Sequence, residues 1–184
     1  MERFAKHQIA FLRRHHVAHL ATLDSAGRPH VVPVCFAYLR GRLYTAVDEK
    51  PKRVAPAALR RIRHILADPH VCMVVDHYEE DWTRLAWLQV RGVAVLVTEA
   101  PERRLALVAL RERYLQYRTM DLESRPLVRI TPTQIRWWAA KPLRSYVSSV
   151  SGRLGGLMTL RAASGAIHRV HTEFSGPTRL RAHG

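Results

Sequence analysis

The sequence predicts an α+β fold built on a mostly antiparallel β-barrel. Three observations predict it. Strand-like runs come in hairpins, with helical runs set between them rather than in regular strand–helix alternation. Residues Pro29 to Leu39 (PHVVPVCFAYL) are apolar on both faces, and such a strand needs cover on both sides. Ala100 to Arg118 carries Leu105, Val108, Ala109, Leu110 and Leu115 opposite arginines and glutamates, and Pro101 stands at its start, the pattern of an amphipathic helix.

Each element follows in order. Phe4, Ile9, Phe11 and Leu12 recur among charges over Glu2 to Arg14, which predicts a short helix. Val17 to Leu23 reads as a strand with Val17, His19, Ala21 and Leu23 on one face. A turn at Asp24-Ser25-Ala26-Gly27 leads into Pro29 to Leu39, with Val31, Pro33 and Cys35 on one face and Val32, Val34 and Phe36 on the other. Pro33 lacks an N–H, which marks an edge or a bulge. A tight turn at Arg40-Gly41-Arg42 returns the chain as Leu43 to Val47. After the cationic run Lys50-Pro51-Lys52-Arg53, Pro56 opens a helix over Ala55 to Ala67. Its apolar side is Ala58, Leu59, Ile62, Ile65 and Leu66, its basic side Arg60, Arg61, Arg63 and His64, and Asp68-Pro69 ends it. Val71 to Tyr78 and Leu85 to Val97 are further strands, the second bent at Gly92. Val128 to Ile130 and Gln134 to Trp138 read as closing strands split by Thr131-Pro132-Thr133. From Lys141 the chain turns rich in Ser, Gly, Thr and Arg without a sustained period, so residues 141–184 form a basic extension, loosely folded or disordered, beyond a barrel domain over residues 1–140.

The 184 residues are 47% hydrophobic, enough for a real core, and carry a formal net charge of +15. That charge calls for an anionic partner: nucleic acid, a membrane surface, or a phosphorylated or polycarboxylate small molecule. No secretory h-region and no bilayer-length apolar run is visible, and both cysteines, Cys35 and Cys72, sit in apolar strands, so a cytoplasmic protein with reduced thiols is expected.

Lys50, Lys52 and Arg53 carry the chemistry best. Cationic side chains at a helix entrance bind phosphate, and here they follow an apolar hairpin and precede a helix bearing Arg60, Arg61 and Arg63. Among the four tryptophans, Trp82 follows an acidic loop and suits a site wall, whereas Trp87 lies mid-strand. His15, His16 and His19 lack helical ligand spacing and an acidic companion, so no metal is expected. Gly152 to Gly156 (GRLGG) lacks the lysine and preceding strand of a phosphate loop, and no local signature of a nucleophile–base set is present.

LATLDSAGRPHVVPVCFAYLRGRLYTAVDEKPKR followed by LADPHVCMVVDHYEEDWTRLAWLQVRGVAVLV resembles the pyridoxamine 5′-phosphate oxidase-like (PPOX class) flavin and deazaflavin proteins. The shared series is a strand, a Gly-x-Pro turn, a strand with internal Pro, a hairpin, basic residues, a helix, Asp-Pro, and a strand ending in Asp. Within that family it is most similar to the F420-dependent oxidoreductase subgroup, over about residues 5–138. The resemblance implies a mostly antiparallel split β-barrel (FMN-binding type) with flanking helices, assembled as a homodimer with the cofactor in a groove at the interface. Carried over by position, Val32, Pro33 and Val34 approach the ring, and Thr45, Ala46, Lys50, Lys52 and Arg53 surround the phosphate end. Asp76, His77, Trp82 and Arg91 fall to the substrate side or to the partner subunit's contribution.

FMN presents one phosphate, whereas F420 adds a phosphodiester and several glutamate carboxylates, so the six cations Lys50, Lys52, Arg53, Arg60, Arg61 and Arg63 favour F420 over FMN. The expected function is hydride transfer between the deazaflavin and a small conjugated organic substrate, with the cofactor doing the chemistry. No catalytic residue is assigned; Tyr44, His77 or a water are the candidate proton donors. The alternatives are an FMN-dependent oxidase or reductase of the same fold, a non-catalytic flavin or F420 carrier, and, last, a basic nucleic-acid-binding protein, which lacks aromatic–basic interleaving and a helix-turn-helix.

Overall fold

In a computed structural model describing residues 3–49 and 55–141, seven strands form one antiparallel sheet in the order β2-β1-β5-β6-β7-β4-β3. The strands are β1 Val17–Leu23, β2 Pro29–Cys35, β3 Ala37–Leu39, β4 Arg42–Ala46, β5 His70–His77, β6 Ala86–Leu96 and β7 Leu127–Ala139. Three helices accompany them: α1 Lys6–Arg14, α2 Arg60–Ala67 and α3 Ala100–Arg113. The two ends of the sheet, β2 and β3, are consecutive in the chain and joined only by Phe36, so the sheet curls back on itself without a ladder closing the gap. This is the α+β split barrel. Lys50, Lys52 and Arg53, and the extension after Lys141, lie outside the described residues.

Alternation on the strands decides which side chains fill the barrel. On β1 the inward residues are Ala18, Leu20 and Thr22, all buried, so the Val17-His19-Ala21-Leu23 face points outward. Val34, Phe36, Leu43, Met73, Val75, Leu88, Val90 and Ile130 join them, with Phe11 and Leu12 of α1 and Ile62 and Ile65 of α2 completing one core. A second core lies under α3, where Ala106, Leu107 and Leu110 pack on Ala37, Tyr44, Ala46 and Leu127. This corrects the apolar face expected for α3, because Leu105 and Val108 are about half exposed. The helix also ends at Arg113, and Leu115–Arg118 is a separate 3₁₀ turn.

The turns match their residues. Arg40 and Gly41 both take positive φ (50° and 81°), as a two-residue primed hairpin between paired Leu39 and Arg42 requires. β7 is one continuous strand, not two. Its Pro132 pairs with Gly92 of β6 at a register shift between Arg91 and Gly92, beyond the point where β7 pairs with β4, which ends at Ile130. A Cβ on Gly92 would stand 2.5 Å from the Thr131 carbonyl oxygen, so the bulge depends on glycine.

Polar ties lock the helices to the sheet. The Arg113 guanidinium donates to the carbonyls of Leu12 (2.7 Å), Arg13 (3.0 Å) and His15, holding the end of α1. Glu102 of α3 accepts from the Tyr44 hydroxyl (2.7 Å) and from Arg129 (2.8 Å), tying α3 to β4 and β7.

Candidate functional site

The expected ring floor divides between two faces. Val34 is buried in the barrel core and Val32 packs partly against it, while Pro33 is exposed on the outer face, opposite His19 of β1. β2 is a terminal strand of the sheet, where a proline is tolerated. Thr45 is only 4% exposed and Ala46 is buried beneath α3. The side chains of Val34, Thr45 and Ala46 are therefore barrel and helix-packing residues, and only Val32 and Pro33 offer surface on this part of the floor.

At the end of the hairpin a polar cluster comes together. Arg61 of α2 interacts with Asp48 and Tyr117; burial draws its guanidinium below the usual arginine range and the two partners oppose that. Tyr117 is raised well above the ordinary phenol value, first by burial and next by a hydrogen bond with the Cys35 thiol. Asp48 directly follows β4 and the residue after it, Val47, so Arg61 is a described cation at the mouth of the loop that carries Lys50, Lys52 and Arg53.

The other basic residues of α2 face elsewhere. Arg60, Arg63, His64 and Ala67 recur at helical spacing and line a cleft of about 750 Å³ whose opposite wall is Asp24, Ser25, Arg28, Pro29 and His30. Of the six cations counted together in the sequence, the three described ones divide: Arg60 and Arg63 line this cleft and Arg61 does not. His64 stands 3.1 Å from the buried Thr22 hydroxyl, and its ring meets that of His30 edge-on at 5.5 Å.

The four candidates on the substrate side do not converge. Asp76 and Arg91 both point outward, but Arg91 pairs with Cys72, four residues from Asp76, or about 13 Å along the strand. Asp76 lies 3.5 Å from His19. His77 has both ring nitrogens engaged: Nδ1 shares a hydrogen with His15 Nε2 (3.2 Å), and Nε2 lies 2.7 Å from the Glu79 carboxylate, which also pairs with Arg84. Trp82 is 69% exposed in a 3₁₀ turn. Tyr44 is buried and bonded to Glu102, and burial, then that bond, raises its hydroxyl above the ordinary value. His15, His16 and His19 diverge, and among the described residues no three His, Cys, Asp or Glu side chains gather to hold a metal.

The outer face of the sheet is apolar where the sequence placed cover. Val31 (57% exposed), Val17 (49%), Ala21, Cys72 and Val74 lie on it, and Trp87 and Trp138 stack at 6.5 Å on its far side.

The family model for pyridoxamine 5′-phosphate oxidase matches residues 4–139, the whole of this curled sheet and its helices. The chain belongs to that family. No match was found among curated proteins. Among solved structures, a conserved hypothetical protein of Mycobacterium tuberculosis is similar at a TM-score of 0.63 and 18% identity, over 85% of this chain and 98% of that one. The heme storage protein HutZ of Vibrio cholerae has a TM-score of 0.57 at 18% identity, over 75% of this chain and 95% of its own. An FAD-binding protein of Mesorhizobium loti has a TM-score of 0.54 at 20% identity, over 73% and 94%. At these identities the likeness is one of fold. Family membership covers the barrel and leaves the extension after Lys141 outside the match.

Sequence reasoning passed over Asp48 and Tyr117 at the hairpin end and Arg28 at the cleft, and saw His64 only as part of a basic helix face. Tyr117 lies in a 3₁₀ turn without periodicity, and only its closeness to Cys35 in space marks it.

Proposed function

We propose that this member of the pyridoxamine 5′-phosphate oxidase family is a cytoplasmic F420-dependent oxidoreductase acting on a small conjugated organic substrate. The observation that carries the reading is the cationic hairpin end: Arg61 beside Asp48, at the mouth of the loop with Lys50, Lys52 and Arg53. Arg61 and Arg125, which donates to the Asp48 carbonyl (3.2 Å), together with the three cations of the loop sequence, exceed what one phosphate needs and suit a phosphodiester followed by carboxylates. The residues fit such a group. Pro33, exposed on the outer face of the terminal strand β2, offers an apolar approach for the ring, and the loop sequence offers charge for its acidic end.

The exposed apolar outer face supports a homodimer in which a second copy covers Val17, Val31 and the Trp87–Trp138 pair, as a strand apolar on both faces demands. No described helix is long and apolar enough to cross a membrane.

When bound and reduced, the deazaflavin supplies a hydride to an electron-poor carbon; the protein positions it and excludes water. Tyr44 and His77 are both hydrogen-bonded to internal partners, which favours a single bound water over either side chain as the proton donor.

Fluorescence titration with F420 and with FMN tests the cofactor. Micromolar or tighter F420 binding without FMN binding supports the reading, and the reverse overturns it in favour of an FMN enzyme. Turnover of reduced F420 with a panel of enones then separates an oxidoreductase from a carrier.

A further inference from the structure

We propose that the cleft between α2 and the β1–β2 turn is a second anion site, separate from the cofactor groove, that takes a small multivalent anion bearing carboxylate or phosphoryl groups. It is independent of which cofactor the groove binds.

The lining is strongly one-signed. Arg60 and Arg63 face Arg28 and Asp24 across the cleft, leaving a net two positive charges with the imidazoles neutral. Asp24 is already satisfied: it accepts from the amides of Ala26 and Arg28 (both 2.9 Å) and from Arg28 Nε (2.8 Å). It therefore holds the turn in place and fixes Arg28 at the cleft wall, with the remaining guanidinium N–H groups available. Neither Arg60 nor Arg63 has an ion-pair partner among the described residues. The volume of about 750 Å³ falls within the ~300–1,000 Å³ usual for small-molecule sites.

Local energetics point the same way. α2 carries Arg60, Arg61, Arg63 and His64 with no acidic residue in its first turn and no side-chain cap. Cations at a helix N-terminus oppose the helix dipole, and like charges three or four apart repel, each effect a few tenths of a kcal/mol. Local rules broken in this way are characteristic of functional sites, and a bound anion would relieve both terms. His30, on the wall opposite α2, adds an independent mark: its Nδ1 is buried with no hydrogen-bond partner.

An anion here is coupled to protons. Burial, then His64, Arg60 and Arg61, hold His30 below the ordinary imidazole value of 6.5. The groups facing it are Arg28 and Asp24 on the turn, Thr22 on β1, and Arg60, Arg63 and His64 on α2, with the charge of Arg61 acting on it from outside the cleft. Negative charge in the cleft offsets the repulsion from the arginines, raises the proton affinity of His30, and so tightens binding as pH falls.

Calorimetric titration of the full chain with sodium citrate and, separately, with sodium pyrophosphate, at about pH 6 and about pH 8, tests this. The expected result is one-to-one binding of at least one anion, several-fold tighter at the lower pH, with proton uptake seen as a buffer-dependent enthalpy. Citrate alone binding identifies a polycarboxylate site, and pyrophosphate alone a phosphoryl site. The exposed pair Arg60→Gln with Arg63→Gln should weaken binding at least tenfold while the melting curve stays intact. His30→Gln should retain binding at the higher pH and lose the pH dependence. The proposal is overturned if neither anion binds, if the double substitution leaves affinity unchanged, or if F420 or FMN displaces the bound anion, which would make the cleft part of the cofactor site. A DNA duplex that binds in an Arg60- and Arg63-dependent way, while both small anions fail, also overturns it.

Discussion

The Tyr114 hydroxyl accepts the amide N–H of Phe36 at 2.9 Å, at the single residue that separates β2 from β3. The same oxygen lies 2.6 Å from the His16 carbonyl and 2.8 Å from that of Phe36, and its one proton serves either. Tyr114→Phe keeps the ring and strands these buried backbone groups. An unsatisfied buried donor or acceptor costs about 1–3 kcal/mol, so urea denaturation should show a loss of that size with the slope unchanged. A loss below a few tenths of a kcal/mol would show that the strand break is held by packing alone.

Gly92→Ala should be more damaging than its one methyl suggests. The new Cβ falls 2.5 Å from the Thr131 carbonyl oxygen and 2.9 Å from Ile130 Cγ2, against backbone that is held in the β6–β7 ladder. Overpacking of this kind costs about 1–3 kcal/mol, read as a lowered melting temperature. An unchanged melting temperature would mean that β7 can shift outward at Pro132.

Arg61→Gln removes a described cation at the hairpin end and leaves Arg125, which donates to the Asp48 carbonyl (3.2 Å). A hydrogen bond to a charged group contributes about 1.5–3 kcal/mol, so cofactor affinity should fall by roughly tenfold to a hundredfold in the fluorescence titration. An unchanged dissociation constant in a folded variant would place the acidic end of the cofactor away from Asp48.

Stability should decline on mild acidification. Burial, as the first cause, lowers the imidazoles of His7, His15 and His30 below 6.5, so on acidification the unfolded chain binds these protons before the folded one does. Their contribution is intact above about pH 6.5 and is lost progressively as pH falls from there through their lower folded-state values. In a buffer without multivalent anions, the urea midpoint should drop between about pH 7.5 and about pH 5.5, and less so for His30→Gln. Parallel curves for the two proteins would show that His30 does not contribute.

Much of the fold was legible because strand and helix periods differ. β1, β5, β6 and the hairpin emerged from alternation and turn residues alone. β7 did not, because Pro132 looks like a break until Gly92 is seen to make room for it across the ladder. The buried side of α3 was misjudged because apolar residues occur all round that helix, and only docking on β3 and β4 selects Ala106, Leu107 and Leu110. For the site, the basic run was visible but its division was not. Arg60 and Arg61 are adjacent in sequence, and the turn of the helix sends them to different walls. Arg28 and His30 lie some thirty residues upstream, and nothing local announces that α2 will settle beside them.

β7 is the last described strand, and it supplies a neighbour to both β6 and β4. During synthesis, those two strands wait with open hydrogen-bonding edges until residues 127–139 have left the ribosome. A chain halted before that point is exposed to edge-to-edge association. Truncations ahead of it should therefore be found in aggregates rather than as smaller folded proteins.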